Sequence, residues 1–248
     1  MRVALVVEYQ GTRYSGFQYQ SSLPTIQGEL EKALSRFTHE SIRLKGAGRT
    51  DTGVHAKGQV VAFDTNSNLD PNDFVRALNH YLPNDIAVQT GFRVDPDFDP
   101  RRMALSRVYR YTLEWTPVRS PLSWTQAYQI SHRLNIVYMK EAIKVFVGKH
   151  DFSQFSGSLK NKDSSTIREI YNAELIREGS KIYIEFEGNA FLPRQVRRMV
   201  GAIIDVGLGR TELSEIEKML KGQMKIKAVR TVPPQGLCLM EVKYQNSW

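Results

Sequence analysis

Hydrophobic and polar residues recur along the first hundred residues with periods that predict strand, helix, strand, strand, helix and strand. The helical period is clearest in Ile26–Phe37, where apolar residues form one stripe and charged residues lie opposite. Pro71–Tyr81 predicts a second helix, with proline in its first turn. The predicted strands are Val3–Tyr9, Ser41–Lys45, Gln59–Asp64 and Asp85–Val94. This order is typical of a split βαβ unit, an antiparallel sheet backed by two helices.

A Pro- and Asp-rich connection, Asp95–Pro100, precedes a second series of elements in a similar order. The predicted strands are Val108–Trp115, a hairpin of Ile167–Arg177 and Lys181–Glu187, and Leu237–Tyr244. The predicted helices are Met139–Val147 and Val196–Val206, and Ser156–Ser165 is expected to be a mobile loop. We therefore predict an α+β fold with domains 1–100 and 101–248. Each would be a mostly antiparallel sheet backed by helices, with the active-site cleft between them.

The composition is that of an ordinary soluble globular protein, with 41% hydrophobic and 24% charged residues. No apolar run approaches the roughly 20 residues that a membrane-spanning helix needs, so we expect no membrane association. Cys238 is the single cysteine, which excludes an intrachain disulfide and a CxxC zinc site. A chain without disulfides fits the reducing cytoplasm, which is the location that we predict.

The net charge of +8 is unevenly distributed along the chain. Residues 1–98 carry 10 Lys and Arg against 11 Asp and Glu, whereas residues 99–248 carry 24 against 15. A basic half beside a near-neutral half suggests a polyanionic partner, most simply a nucleic acid. A merely basic soluble protein explains the charge equally well.

The most informative local feature is the polar loop Gly48–His55. Arg49 and Asp51 are two residues apart, so in an extended segment their side chains lie on one face. Gly48 and Gly53 allow tight turns and a close approach to a ligand. A neighbouring arginine keeps a carboxylate ionised, as a nucleophile must be, and can also hold a phosphate. Taken alone, however, the loop is explained more simply as a polar turn with an internal salt bridge.

The triplet Asp51-Thr52-Gly53 also occurs around the catalytic carboxylate of aspartic peptidases. Those enzymes need two carboxylates that share one proton, and no second Asp-Thr-Gly or Asp-Ser-Gly is present. A homodimer would have to supply the second, and the helical, basic pattern does not suit that all-β class. The sequence contains no P-loop, G-x-S-x-G or H-E-x-x-H motif, and its histidines lack metal-ligand spacing. We therefore predict neither a metal nor a nucleotide cofactor.

Four blocks of the sequence resemble the tRNA pseudouridine synthases of the TruA type, and together they cover nearly the whole chain. They are Glu8–Gln18 (EYQGTRYSGFQ), Ala47–Ala56 (AGRTDTGVHA), Ser106–Tyr111 (SRVYRY) and Asn189–Gly201, which contains NAFL and VRRMVG. The departures from the family pattern are Gln10 for the usual Asp, Gln195 for the usual Met, and Asp99–Ala104 (DPRRMA) for H-A-R-x-S-A.

The resemblance implies an isomerase that converts uridine to pseudouridine at positions 38, 39 and 40 of the tRNA anticodon stem-loop, without a cofactor. It implies that Asp51 is the nucleophile, at the sugar C1′ or at uracil C6, and that the target base is flipped out of the stem. It implies a catalytic Tyr109 that stacks on the uracil and a catalytic Arg197 paired with Asp51. By pattern alone, Tyr109 would be a core aromatic residue of a strand.

Further residues are expected to contact the RNA. Arg49 would fill the space left by the base or bind the target phosphate, and the other substrate-binding candidates are His55, Arg107 and Arg198. A solvated helix face explains Arg194 and Arg198 adequately. Candidates for contact with the RNA backbone are Arg101, Arg102, Arg107, Arg110, Arg168, Lys221, Lys225, Lys227 and Arg230. The resemblance implies a homodimer in which one tRNA contacts both subunits, and a catalytically silent RNA-binding module is the alternative function.

Overall fold

Ten strands and five α-helices make up the regular structure in the computed structural model, which describes residues 1–157, 165–224 and 229–245. The elements up to residue 105 are β1 (Arg2–Tyr9), α1 (Ile26–Thr38), β2 (Lys45–Gly46), β3 (His55–Asp64), α2 (Pro71–Tyr81) and β4 (Ile86–Val94). The later elements are β5 (Ser106–Trp115), β6 (Tyr128–Ile130), α3 (Ile136–Lys144), β7 (Gly148–Asp151), β8 (Ile167–Glu178), β9 (Lys181–Gly188), α4 (Gln195–Gly207), α5 (Leu213–Leu220) and β10 (Leu237–Lys243).

The first of two compact units comprises Met1–Leu105 and the stretch that begins at Cys238. Its strands follow the order β4-β1-β3-β10, with β1 antiparallel to β3 and β4, and β10 parallel to β3. Helices α1 and α2 bury apolar stripes, and Phe74 of α2 packs edge-on against Phe37 of α1 and Phe63 of β3. This packing holds both helices against the sheet that carries the Gly48–His55 loop.

The second unit is Ser106–Leu237. Its strands follow the order β5-β9-β8-β7 with antiparallel pairing, and β6 adds to β5 in parallel. The buried core includes Phe146, which packs edge-on against Phe155 and Phe186. Met139 and Ile143 of α3 are buried, as is the apolar stripe of α4. This core supports β5 and α4, which carry four predicted site residues, namely Arg107, Tyr109, Arg197 and Arg198.

The predicted α+β class, with mostly antiparallel sheets and backing helices, is confirmed. Helix α2 has the predicted bounds, because Asp70 caps it and Pro71 follows at its first position. Helix α3 begins at Ile136, three residues before the predicted start, because the Asn135 side chain caps the backbone N–H groups of Val137 and Tyr138.

Two predicted strands differ from the structure by four residues at their start. The strand predicted at Ser41–Lys45 is reduced to Lys45–Gly46, because the Leu44 N–H donates to the Glu31 carboxylate instead of to a strand. Strand β3 starts at His55, four residues before the predicted Gln59, so the polar loop runs directly into the sheet. Most of the loop predicted at Ser156–Ser165, residues 158–164, lies outside the described residues.

The boundaries 1–100 and 101–248 stay a prediction about domains. The structure adds that β10, from the end of the chain, pairs with β3 in the first unit through Cys238 opposite His55. Among the described residues, no helix is long and apolar enough to cross a membrane.

Candidate active site

Residues 49–51 of the Gly48–His55 loop alternate between accessible and buried side chains. Arg49 is exposed, Asp51 is half-buried, and Thr50 between them has only 6% of its surface exposed. This alternation is what an extended backbone predicts, since successive side chains point to opposite sides. The loop therefore presents a cation and a carboxylate while the threonine between them points into the unit.

A buried polar cluster lies beneath the loop. The Thr50 hydroxyl is 2.8 Å from the Tyr9 hydroxyl, and Gln59 Nε2 donates to the Gly48 carbonyl at 3.0 Å and lies 3.5 Å from the Tyr9 oxygen. Burial raises the pKa of Tyr9 well above its ordinary value, so its phenol stays protonated as a hydrogen-bond donor. Gln59 Oε1 has no hydrogen-bond partner among the described residues, which costs about 1–3 kcal/mol for a buried acceptor.

The backbone of the loop is held by the Glu8–Gln18 segment. The Phe17 N–H donates to the Thr50 carbonyl at 3.1 Å, and the Gly53 N–H donates to the Tyr14 carbonyl at 3.3 Å. A Cβ on Gly11 would lie 2.0 Å from the Val54 carbonyl oxygen, so this close approach requires glycine. The first two sequence blocks that resemble the synthases, Glu8–Gln18 and Ala47–Ala56, therefore pack against each other within the first unit.

His55 ends the loop and is buried. Its Nδ1 accepts the Gly11 N–H at 3.0 Å, so in the neutral imidazole the proton is on Nε2. This contact makes His55 a support of the loop. Its role in substrate binding stays a prediction.

Asp85 makes further hydrogen bonds to the Glu8–Gln18 segment. The Tyr14 hydroxyl donates to Asp85 Oδ1 at 2.5 Å, and burial together with this bond raises the pKa of Tyr14. The Gln10 N–H donates to the Asp85 carbonyl at 2.9 Å. Because this bond uses the backbone of Gln10, it does not depend on the side chain that departs from the family pattern.

The site residues predicted on β5 are fixed by the Asn189–Gly201 segment. The Tyr109 ring is 9% exposed and packs edge-on against Phe191, with centroids 5.2 Å apart. The buried Arg107 donates to the Asn189 carbonyl at 2.8 Å. The third and fourth blocks of the resemblance thus meet within the second unit, as the first two do within the first.

The arginines at the start of α4 bond to the segment that precedes β10. Arg197 Nε donates to the Val232 carbonyl at 2.8 Å, and the Val232 N–H donates back to the Arg197 carbonyl at 3.3 Å. Arg198 bonds to Thr231 and to the Ser156 carbonyl, and burial, then the charge of Arg194, lowers its pKa. Both side chains are half-buried and make structural hydrogen bonds, unlike residues of a solvated helix face.

Two departures from the family pattern have structural explanations. Gln195 is fully buried, and its Oε1 accepts the Leu192 N–H at 2.8 Å ahead of α4. Asp99 accepts the N–H groups of Arg102 at 3.0 Å and Arg101 at 2.9 Å, and these bonds lower its pKa. Both side chains therefore stabilise turns of the backbone.

The other residues predicted to contact the RNA backbone are either bonded within the protein, exposed, or outside the described residues. Arg110 pairs with Glu185, Arg230 contacts Asp205 and the Tyr128 hydroxyl, and Arg168 donates to backbone carbonyls. The exposed cations are Arg101, Arg102 and Lys221, whereas Lys225 and Lys227 lie outside the described residues. Within the described ranges, no three His, Cys, Asp or Glu side chains are grouped as metal ligands.

The sequence interpretation did not identify Tyr9, Gly11 or Gln59, which hold the loop. A signal was available for Gln59, an amide within the apolar run of β3.

Comparison with known proteins connects this site to one family. The family model for tRNA pseudouridine synthase matches residues 5–101 and 142–245. A tRNA pseudouridine synthase A of Geobacter sp. (strain M21) is 40% identical over 243 residues, which is 98% of each chain. A tRNA pseudouridine synthase A of Thermoanaerobacter sp. (strain X514) is 41% identical over 242 residues, 98% of this chain and 99% of the relative.

Proposed function

Because the chain belongs to the tRNA pseudouridine synthase family, we propose that it converts uridine to pseudouridine at positions 38, 39 and 40 of the tRNA anticodon stem-loop. Family membership makes it an isomerase that acts on tRNA; the three positions and the mechanism are our proposal. One observation carries the mechanism. The Asp51 carboxylate is half-exposed on a loop whose backbone is fixed from beneath by buried hydrogen bonds.

The reaction breaks the N1–C1′ bond of uridine and forms a C5–C1′ bond in the same nucleotide. N1 gains a proton and C5 loses one, so atoms and electrons balance without an oxidant or reductant. Asp51 would attack either C1′ or uracil C6 and form a covalent intermediate, which divides a difficult transfer into two steps. The attacking group is the ionised carboxylate of Asp51.

Base flipping follows from the position of the target. A uridine in a stem can be reached only when it is extruded, at a cost of a few kcal/mol. Arg49 is exposed beside Asp51 and has the length and charge to fill the vacated space or to hold the target phosphate.

Two residues of the second unit complete the proposal. Tyr109 would stack on the flipped uracil and help to remove the C5 proton, and its contact with Phe191 fixes the plane of its ring. Arg197 would stabilise the ionised nucleophile. Arg107 and Arg198 would contribute positive charge for tRNA binding.

The direct test uses tRNA transcripts that carry uridine at only one of positions 38, 39 and 40, read by sequencing chemistry that detects pseudouridine. We expect modification of each transcript and none of a transcript without these uridines. Unchanged uridines in all three would overturn the proposal.

A second experiment tests the proposed covalent step against the silent RNA-binding module, which family membership does not favour. A tRNA containing 5-fluorouridine is expected to form a stable adduct with the wild-type protein, because the fluorine blocks loss of the C5 substituent. A module that only binds RNA would retain the tRNA without an adduct. The alternative interpretation as a dimeric aspartic peptidase is wrong, because the match to the tRNA pseudouridine synthase family includes the Asp51 loop.

We also propose a homodimer in the cytoplasm. The dimer rests on the family resemblance, and a single cysteine fits a reducing compartment. Light scattering of the purified protein is expected to give twice the mass of the 28.4 kDa chain, and fractionation of cells would place the protein with soluble tRNA.

A further inference from the structure

Gln59 is a buried amide that directly precedes an apolar stretch of β3. It lies on β3 opposite Val7 of β1, and it is followed by Val60, Val61 and Ala62, all of them buried. None of the Gln59 surface is exposed. Its position, facing the underside of the Asp51 loop, is one that no substrate can reach.

The amide is satisfied on one side only. Nε2 donates to the Gly48 carbonyl at 3.0 Å, whereas Oε1 is buried and finds no hydrogen-bond partner in the described part of the chain. Reversing the amide would not help, because Oε1 would then face the Gly48 carbonyl as a second acceptor. An apolar side chain of similar length would avoid the unsatisfied oxygen but would lose the donor to the Gly48 carbonyl, so the amide is explained by its contact with the loop backbone and not by burial of apolar surface.

The Gln59 amide contacts the residues on both sides of Arg49, Gly48 directly and Thr50 through the Tyr9 hydroxyl. Nε2 bonds to the carbonyl of Gly48, and it also approaches the Tyr9 oxygen at 3.5 Å. The Tyr9 hydroxyl in turn contacts the Thr50 hydroxyl at 2.8 Å. The Gln59 amide therefore fixes Gly48, which precedes Arg49, and through Tyr9 it also fixes Thr50, which follows Arg49. Thr50 directly precedes Asp51.

We propose that Gln59, with Tyr9, is a positioning residue that fixes the backbone from Gly48 to Thr50 and so aims the Asp51 carboxylate. This inference rests on the proposed role of Asp51 as nucleophile. A misplacement of about 1 Å in a reacting group costs on the order of 10²-fold in rate, so loss of the amide donor has an effect out of proportion to its effect on the fold.

The first test is Gln59→Met, which keeps the length of the side chain and removes both the donor and the unsatisfied oxygen. We expect kcat to fall about 10–100-fold, with KM within about threefold of wild type and a melting temperature close to wild type. Gln89→Met is the matched control, since Gln89 is an exposed glutamine on β4 of the same unit. It is expected to keep wild-type kinetics.

The second test is Gln59→Glu, which makes the same contact dependent on pH. A protonated glutamate can donate to the Gly48 carbonyl, whereas an ionised one repels it, and burial raises the pKa of such a carboxyl. We expect the ratio of variant to wild-type kcat to rise about tenfold or more as the pH falls from 8.5 to 5.5. A glutamine with only a structural role predicts a ratio that follows the folded fraction of the variant, measured by circular dichroism at each pH.

The outcomes separate the two proposals. If Asp51→Asn is active in the same assay, the proposed function fails. If Asp51→Asn is inactive but both Gln59 variants have wild-type kcat across the pH range, the positioning role is overturned. It is also overturned if activity falls only in proportion to the unfolded fraction measured by circular dichroism, or if KM alone rises. Should Gln59→Met fail to fold, the pH profile of Gln59→Glu decides.

Discussion

The loop around Asp51 and the start of α4 both carry predicted catalytic residues, but the two regions hold them in opposite ways. In the loop, Gly48 and Thr50, the residues on either side of Arg49, make buried hydrogen bonds that hold the backbone. At the start of α4, Arg197 and Arg198 themselves bond to the segment that precedes β10. The residues on either side of Arg49 therefore support the first region, whereas in the second region the predicted functional arginines are themselves part of the support.

This difference has a practical consequence for interpreting variants. A change at Asp51 removes a reacting group and leaves the side-chain contacts of Gln59 with Gly48 and of Tyr9 with Thr50 in place. A change at Arg197 removes a charge and also a hydrogen bond that joins α4 to residue 232. The first region should separate activity from stability, and the second should not.

The largest effect is expected for Asp51→Asn. Loss of the nucleophile should lower kcat by at least about 10⁴-fold, while the melting temperature and the affinity for tRNA stay near wild type. Asp70→Asn is the matched control, because Asp70 is an exposed helix cap and asparagine caps helices equally well. A large fall in the melting temperature of Asp51→Asn would break the comparison.

Arg197→Met should lose both activity and stability. We expect kcat to fall about 10²-fold and the free energy of unfolding to fall by about 1.5–3 kcal/mol, because a hydrogen bond from the charged Arg197 to the carbonyl of the buried Val232 is lost. Urea unfolding and kinetics on the same preparation would measure the two changes. Arg36→Met, an exposed arginine of α1, is the control and should change neither. Retention of full stability by Arg197→Met would show that the two regions do not differ in this way.

A pair of glycines compares how tightly the two regions are packed. A Cβ on Gly201 would lie 2.1 Å from the Arg230 carbonyl oxygen, whereas a Cβ on Gly48 would meet nothing within 4 Å. Gly201→Ala should therefore lower the free energy of unfolding by about 1–3 kcal/mol, and Gly48→Ala should change it by less than about 0.5 kcal/mol. Equal effects in thermal unfolding would contradict the packing described for α4.

The smallest effect concerns Asp99, which lies outside both regions. Its pKa is lowered by the Arg102 and Arg101 N–H groups, so its contribution is present above the unfolded pKa near 4 and is lost as the pH falls through the folded pKa. Asp99→Asn should lower the free energy of unfolding by at most about 1 kcal/mol at pH 7 and by nothing measurable near pH 2. Unfolding curves at the two pH values would test this, and a difference that grows at low pH would oppose it.

The sequence predicted the elements whose ends carry strong local signals. Helix α2 begins at an Asp-Pro pair, and the β8–β9 hairpin turns at Gly179, which has a positive φ of 60°. Strands β6 and β7 were not predicted, because they have three and four residues and exist through pairing with longer strands. Helix α5 was also missed, although Glu212 and Glu215 form a capping box that was visible in the sequence.

The sequence predicted the candidate functional residues of the loop, but it did not predict the buried residues that hold the loop in place. Asp51 and Arg49 are recognisable because they lie in one continuous motif of the resemblance. Gln59 and Tyr9 are 50 residues apart in the chain and meet through tertiary pairing of β1 with β3. Local periodicity cannot reveal such a contact, which explains why these supports emerged only from the structure.

The most direct test of the central claim is a single-turnover assay with wild-type protein and Asp51→Asn on the same tRNA, with pseudouridine counted at each position of the anticodon arm. We predict that wild type forms pseudouridine at positions 38, 39 and 40, and that Asp51→Asn binds the tRNA and forms none. Pseudouridine made by Asp51→Asn at a rate near that of wild type would contradict the account.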